Sequence, residues 1–371
     1  MYFANLSQTL SDFEKMKIAI LTFTFQTNYG CILQAYALQK TVSEMGTDCE
    51  LVDYICPAIT KPYKPFYITK NNPLMSFAKS CVMWNRRRKK AISFESFQNK
   101  IVKSKQQYDS TNIAQANDKY DLFITGSDQV FSPWCVDFDP VYFLTFADDL
   151  KKFSYAASFA TKEIPQEMKK EFSNRLQSFQ KLSVREQEGV RLIDELTGKD
   201  SEVHLDPTIL LSADKWGEIA QCDTTEPYVL VYSVMPQISL VDFAVKLAKE
   251  KNMKVIYITD APHIPNKTIQ CEKAVSVERF VGYFKNASYV VSNSFHATAF
   301  SVIFHKSMFI EFQNKVNRNV RSESFLANLG ISRGLVDGKA EETPINWKDV
   351  DKKLNAQRQK SLDYLKSVIG E

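Results

Sequence analysis

The chain has 371 residues, 44% hydrophobic and 24% charged, with 11 Gly and 13 Pro; that is globular composition, enough for roughly two to three domains, and it excludes a disordered, fibrous or peptide-sized protein. Lys and Arg number 47 against 43 Asp and Glu, too small a surplus to steer the whole molecule onto nucleic acid, so any anion site must be local. The 7 cysteines are odd in number and contain no C-x-x-C pair, which fits reduced thiols in the cytoplasm rather than a disulfide framework or a zinc site. No basic-then-apolar leader opens the sequence, and no run approaches the length of a membrane span. The chain is therefore expected to be neither secreted nor membrane-spanning.

Residues 1–15 are polar and precede Met16, and they read as an N-terminal extension. The buried-strand run KIAILTF (17–23) leads through a turn at 26–30 to a helical stripe over 31–45, and CELVDY (49–54) follows after Gly46. A βαβ unit thus opens the fold, and a parallel sheet is expected. A Pro- and Lys-rich stretch, 57–73, reads as a long loop or lid. Then 121–126, 152–158, 181–186 and 203–210 read as strands or strand ends, Tyr142-Phe143-Leu144 as another, and 163–180 and 186–197 as helices. After a polar segment the same grammar repeats: strands at 228–234, 254–259, 289–293 and 307–312, helices at 240–251, 277–286 and 295–305, and a terminal helix from Trp347. The expected division is an extension (1–15), an N-terminal α/β domain (16–211), a linker (212–227), a C-terminal α/β domain (228–345) and a C-terminal helix (346–371). Two Rossmann-like domains would face a cleft at the carboxyl ends of their strands, where such folds bind ligands.

The segment YVVSNSFHATAFSVIF delivers Asn293 and Ser294 from a strand to a helix whose first turn carries His296. Ser294 suits an N-cap, and a histidine beside the positive helix end suits a phosphate or carboxylate. The bland reading is a capping turn in which His296 only packs. In DLFITGSDQV a strand runs into Gly126 and exposes Ser127, Asp128 and Gln129. Asp128 can serve as a general base toward a sugar hydroxyl, or simply cap a turn. Arg185 can clamp a phosphate or carboxylate through two N–H groups, or pair at the surface with Glu186 or Glu188. Asp137-Phe138-Asp139 is literally a D-x-D, yet such pairs are frequent by chance, and no metal is expected. The basic run 86–90 after Trp84 is either a solvated helix face or a contact with an anionic inner leaflet. No G-x-G-x-x-G and no Walker loop is present.

Taken in order, ILTFTFQTNYGCILQAYALQK, YDLFITGSDQVFSP, FSYAASFA, LSVREQEG, HLDPTILL and VVSNSFHATAFSVIF resemble the polysaccharide pyruvyl transferase family over residues 16–335. The resemblance implies a GT-B-like two-domain architecture and transfer of a pyruvyl group, as a ketal, from phosphoenolpyruvate to a sugar. The acceptor would be a cell-surface polysaccharide precursor, lipid-linked in one version. It implies His296, Arg185 and Asp128 as catalytic residues, respectively acid, donor clamp and base. Donor or acceptor binding would involve Asn28, Tyr29, Gly30, Ser127, Gln129, Ser158, Asn293, Ser294 and Arg321. No cofactor and no nucleic acid is implied, and a cytoplasmic location, with contact at the inner membrane leaflet, fits that chemistry. Ser294-Phe295 stands where some members have Arg-Leu before the histidine, and Arg321, Arg318 or Lys315 would have to supply the missing cation. A nucleotide-sugar glycosyltransferase and a non-catalytic glycan-binding homologue are the alternatives.

Overall fold

The structure is a computed structural model of the full chain. It describes residues 15–24, 27–56, 58, 72–234, 237–260, 268–312, 320–335, 338–340 and 342–370. The expected extension and the proline-rich stretch therefore lie mostly outside the described residues.

Lys17–Leu21 forms β1, whose Ile18–Leu21 run is buried throughout, as a strand covered on both faces requires. Helix α1 (Tyr29–Glu44), β2 (Asp48–Tyr54), α2 (Pro73–Gln98), β3 (Lys103–Tyr108), β4 (Leu122–Thr125) and β5 (Lys152–Ser154) follow. They make a five-stranded sheet of order β3-β2-β1-β4-β5, parallel at every pairing. After α3 (Lys169–Gln177), two short parallel strands, β6 (Leu182–Val184) and β7 (Ser201–Val203), flank α4 (Gln187–Thr197). Isolated bridges from Phe153 to Lys181 and from Ala157 to Val184 join them to the edge of the first sheet.

The second half contains β8 (Tyr228–Tyr232), α7 (Ile238–Glu250), β9 (Lys254–Ile258), β10 (Ile269–Glu272), α8 (Val277–Asn286), β11 (Tyr289–Ser292), α9 (Phe295–Ile303), β12 (Ser307–Glu311), α10 (Val320–Leu329) and β13 (Gly334–Leu335). Its sheet has the order β10-β9-β8-β11-β12-β13. Between the halves lie the single turn α5 (Pro207–Leu210) and α6 (Ala213–Ile219), so the segment expected as a linker is partly helical; its Trp216 is fully buried and donates its indole N–H to the Thr208 carbonyl at 2.9 Å. The last helix, α11 (Trp347–Ile369), turns back onto the first half. There the Tyr364 hydroxyl donates to the Ser154 carbonyl at 2.8 Å, and Arg358 Nε to the Ile209 carbonyl at 2.9 Å. One core of buried side chains consequently runs through both halves, including Tyr29, Trp216, Phe280, Phe300 and Leu365.

Several elements differ from the sequence reading, and two share a cause. Residues 203–210 read as a strand, but β7 ends at Val203, and Asp206-Pro207 starts a helical turn in which Asp206 accepts from the Thr208 N–H. Tyr142-Phe143-Leu144 also read as a strand, but Pro140–Phe143 is a 3₁₀ turn opened by Asp139-Pro140, with Asp139 accepting from the Val141 N–H. Asp at the cap with Pro at the first helical position satisfies the orphan donors and presets φ, and that local signal outweighs the apolar run that follows. Strand β5 stops at Ser154 instead of Ser158, and Ala156 adopts a positive φ of 47°. The helix expected over 163–180 forms only at 169–177.

Candidate active site

Each large sheet reverses its strand order once, between β1 and β4 and between β8 and β11. In open parallel sheets ligands bind beyond the strand carboxyl ends at that reversal. Asn28, Tyr29 and Gly30 follow β1, Ser127, Asp128 and Gln129 follow β4, and Asn293, Ser294 and His296 follow β11. Gly126, at the end of β4, is needed for room: a Cβ there would meet Thr22 Cβ at 3.0 Å and Leu38 Cδ2 at 3.1 Å. The left-handed backbone falls instead on Asp128, at φ 77°, a conformation Asp tolerates better than most residues.

Asp206, only 1% exposed, ties the two halves together. Its Oδ1 accepts from the Thr208 N–H and hydroxyl, at 3.0 and 2.7 Å. Its Oδ2 accepts from Arg185 Nη1 at 2.5 Å and from the Ser127 hydroxyl at 3.5 Å, and it lies 3.6 Å from His296 Nε2. Burial alone would raise the Asp206 pKa, but His296 and Arg185 beside it hold the carboxyl well below the usual range. It is a permanent anion. Arg185 thus makes a buried pair, not the surface pair with Glu186 or Glu188 that the bare sequence also allowed.

Several polar atoms of these residues are left over. Arg185 Nε and Nη2, His296 Nε2 and Glu186 Oε2 are buried without a hydrogen-bond partner, a costly arrangement that a polar ligand would relieve. Two guanidiniums lie over Phe295, with Arg185 Cζ 5.0 Å and Arg321 Cζ 5.9 Å from its ring centre. Burial and the neighbouring Arg185 push the Arg321 pKa down to about 10, while Glu186, Asp128 and Asp206 oppose that shift. Burial also works against the charge on Arg185, but Asp206, Asp128 and Glu186 outweigh it and raise its pKa. The result is two cations crowded against an aromatic platform at the mouth of α9.

His296 lies between Asp206 and Gly30, where a Cβ on residue 30 would stand 2.2 Å from Nδ1. Only glycine admits the ring at this position. Ser294 occupies the N-cap of α9 with extended backbone, but its side chain makes no capping bond; its own N–H donates to the Ser292 hydroxyl at 3.1 Å.

The other expected residues sit around this centre in supporting contacts. Asn28 caps α1, accepting from the Gly30 N–H at 2.9 Å. Tyr29 stacks on Phe280 at 4.1 Å, and its hydroxyl donates to the Val275 carbonyl at 2.7 Å, across the halves. Asp128 Oδ2 accepts from the Cys31 thiol at 2.8 Å, and Oδ1 from the Gln129 N–H. Burial and Asp128 push the Cys31 pKa well up, which keeps it a thiol. Gln129 Oε1 accepts from Cys135 at 3.1 Å, the Ser158 hydroxyl donates to Glu186 at 2.8 Å, and Asn293 accepts from the Val234 N–H at 3.0 Å. Arg318 and Lys315 lie outside the described residues.

Sequence reasoning missed Asp206, Glu186, Phe295 and Cys31. Asp206 stood in plain sight in HLDPTILL, where Asp before Pro marks a cap, but its second oxygen acquires its partners only through folding. The D-x-D is otherwise engaged: Asp139 Oδ2 accepts from the Tyr54 hydroxyl at 2.7 Å and Oδ1 caps the following turn. Among the described residues there is no group of three or more His, Cys, Asp or Glu side chains able to hold a metal. Likewise no helix of the described residues is long and apolar enough to cross a membrane.

Solved structures share this architecture. A UDP-GlcNAc 2-epimerase from Methanocaldococcus jannaschii aligns with a TM-score of 0.53 at 12% identity, covering 92% of each chain. A Listeria monocytogenes protein assigned as a UDP-N-acetylglucosamine 2-epimerase aligns at 0.51 and 10% identity, covering 95% of this chain and 90% of its own. At such identities the likeness establishes the GT-B fold alone. No curated protein matches the chain at a significant level. The profile of the polysaccharide pyruvyl transferases matches residues 28–310, a span that takes in Arg185, Asp206 and His296, and the chain therefore belongs to the polysaccharide pyruvyl transferase family.

Proposed function

We propose that the enzyme moves a pyruvyl group from phosphoenolpyruvate to two hydroxyls of a sugar in a cell-surface polysaccharide precursor, on the cytoplasmic side of the membrane. The observation that carries this reading is the convergence of Arg185, Arg321 and His296 around Phe295, with buried N–H donors left unpartnered on Arg185. A donor bearing both a carboxylate and a phosphate matches two guanidiniums and an imidazole in charge and in hydrogen-bonding capacity.

In this reading His296 delivers a proton to the methylene carbon of the enol phosphate, which becomes a methyl group, and positive charge develops on the adjacent carbon. A sugar hydroxyl attacks that carbon and gives its proton to Asp128. The carbon–oxygen bond to phosphate then breaks, a second hydroxyl closes the ketal, and its proton leaves with the phosphate. Arg185 and Arg321 hold the donor's anionic groups through both steps and stabilise the charge on the departing phosphate. Asp206 keeps Arg185 and His296 in place as a positioning residue.

Incubating the purified protein with phosphoenolpyruvate and candidate nitrophenyl or lipid-linked sugars, followed by mass spectrometry, tests the proposal. The expected product is the acceptor plus a pyruvyl ketal, with release of one phosphate. Transfer of a hexose from a nucleotide sugar would overturn it in favour of a glycosyltransferase, and no product with any donor would favour a glycan-binding homologue.

A further inference from the structure

The positive charge of this chain is concentrated in one segment. Between Asp53 and Glu95 there is no acidic residue and there are nine Lys or Arg, while the whole chain has 47 against 43. The rest of the sequence, 38 against 43, is net acidic. Helix α2 carries the last part of this segment, and its outer face is apolar as well as basic. Leu74 is 84% exposed, Val82 80% and Met75 67%, a degree of exposure that large side chains of a soluble helix seldom show together. By helical spacing these share a face with Arg88 and Lys89, which are also exposed. The inner face is committed elsewhere: Lys90 pairs with Asp260 at 2.5 Å and stands 4.9 Å over the Tyr29 ring, and Arg86 donates to the Asp260 carbonyl. Tyr29 adjoins Gly30, which packs on His296, so the inner face of α2 reaches the neighbourhood of the candidate site while the outer face points away from it.

We infer that the outer face of α2 docks the enzyme on an anionic lipid bilayer, with Leu74, Met75 and Val82 entering the interface and Arg88 and Lys89 meeting lipid headgroups. Cations alone would suit nucleic acid equally well; exposed aliphatic side chains among them suit the boundary between headgroups and acyl chains. Docking by this face holds the enzyme at the membrane surface, where an acceptor carried on lipid would be presented. This last point rests on the proposed pyruvyl transfer; the docking itself does not.

Cosedimentation of the full chain with vesicles of pure phosphatidylcholine, and of phosphatidylcholine with phosphatidylglycerol, at low and high salt tests the inference. Binding is expected to the anionic vesicles only, and to weaken with salt. Arg88→Glu/Lys89→Glu and, separately, Leu74→Ser/Val82→Ser should each lower the bound fraction by about tenfold, with activity on a water-soluble acceptor unchanged. A protein that stays in the supernatant at low salt overturns the inference. So does a labelled RNA oligomer that binds as tightly as the vesicles and is indifferent to Leu74→Ser/Val82→Ser. Vesicle binding by a protein inactive with phosphoenolpyruvate would uphold the docking while removing the transfer reaction.

Discussion

Gly30 lies so close to the imidazole of His296 that a Cβ on residue 30 would stand 2.2 Å from Nδ1 and 2.4 Å from Cε1. Glycine at the second position of a helix ordinarily weakens it, and Ala there would be expected to stabilise by about 0.5–1 kcal/mol. The opposite is predicted here. Gly30→Ala should displace the ring, lower the melting temperature and reduce turnover by about 10²-fold, as for a misplaced acid-base group. Steady-state kinetics beside thermal unfolding check this, and a more stable, fully active variant would remove His296 from the position described.

Asp206→Ala should destabilise the protein by about 3–5 kcal/mol, because Arg185 and His296 would lose their common buried counter-charge. Asp206→Asn retains a side-chain oxygen for the Thr208 cap and should cost less while still impairing turnover. Urea midpoints of both variants measure the difference. Equal effects would mean that the charge, not the cap, is what matters.

Burial lowers the Arg321 pKa, and repulsion from Arg185 beside the same Phe295 ring lowers it further. Arg321→Met should therefore stabilise the fold by about 0.5–2 kcal/mol while raising the KM for the donor more than tenfold, the usual opposition of stability and function at a strained site. Arg185→Ala should likewise raise the donor KM more than it alters acceptor use. Equal changes in both constants would point to a structural role.

His296→Ala is expected to lower turnover by about 10²-fold or more without unfolding the protein. Activity within a fewfold of the original would reject His296 as the acid. Chelators should leave the original enzyme's activity unchanged, since Asp139 of the D-x-D is held by Tyr54 and the Val141 N–H. Strict dependence on a divalent ion would revive nucleotide-sugar chemistry.

His204 is buried against Tyr364, ring centres 4.5 Å apart, with Nδ1 3.3 Å from the Ser361 hydroxyl. Burial pushes its pKa down to about 4 from 6.5. A neutral buried histidine is protonated more readily in the unfolded chain, so its contribution to stability is intact above pH 6.5 and is lost as pH falls toward 4. The loss amounts to about 3 kcal/mol. Urea unfolding at a series of pH values should show this acid slope, and His204→Gln should flatten it.

The sequence alone determined the alternation of strands and helices in both halves, since buried parallel strands such as 17–21, 228–232 and 289–292 are short continuous apolar runs bounded by turns. It also put forward His296, in the first turn of the helix after a strand, and Arg185, at a strand end, as candidates. Short elements opened by Asp-Pro were misread, as capping is a contest between local hydrogen bonds and apolar pattern that a periodicity argument cannot decide. What only the tertiary structure decided is which charges meet. Asp206 collects Arg185 from the neighbouring strand end and His296 from the other half of the molecule, and Arg321 reaches Phe295 from a later helix. Electrostatic partnership depends on distance in space and on exclusion of water, and neither is written in the spacing of residues along the chain.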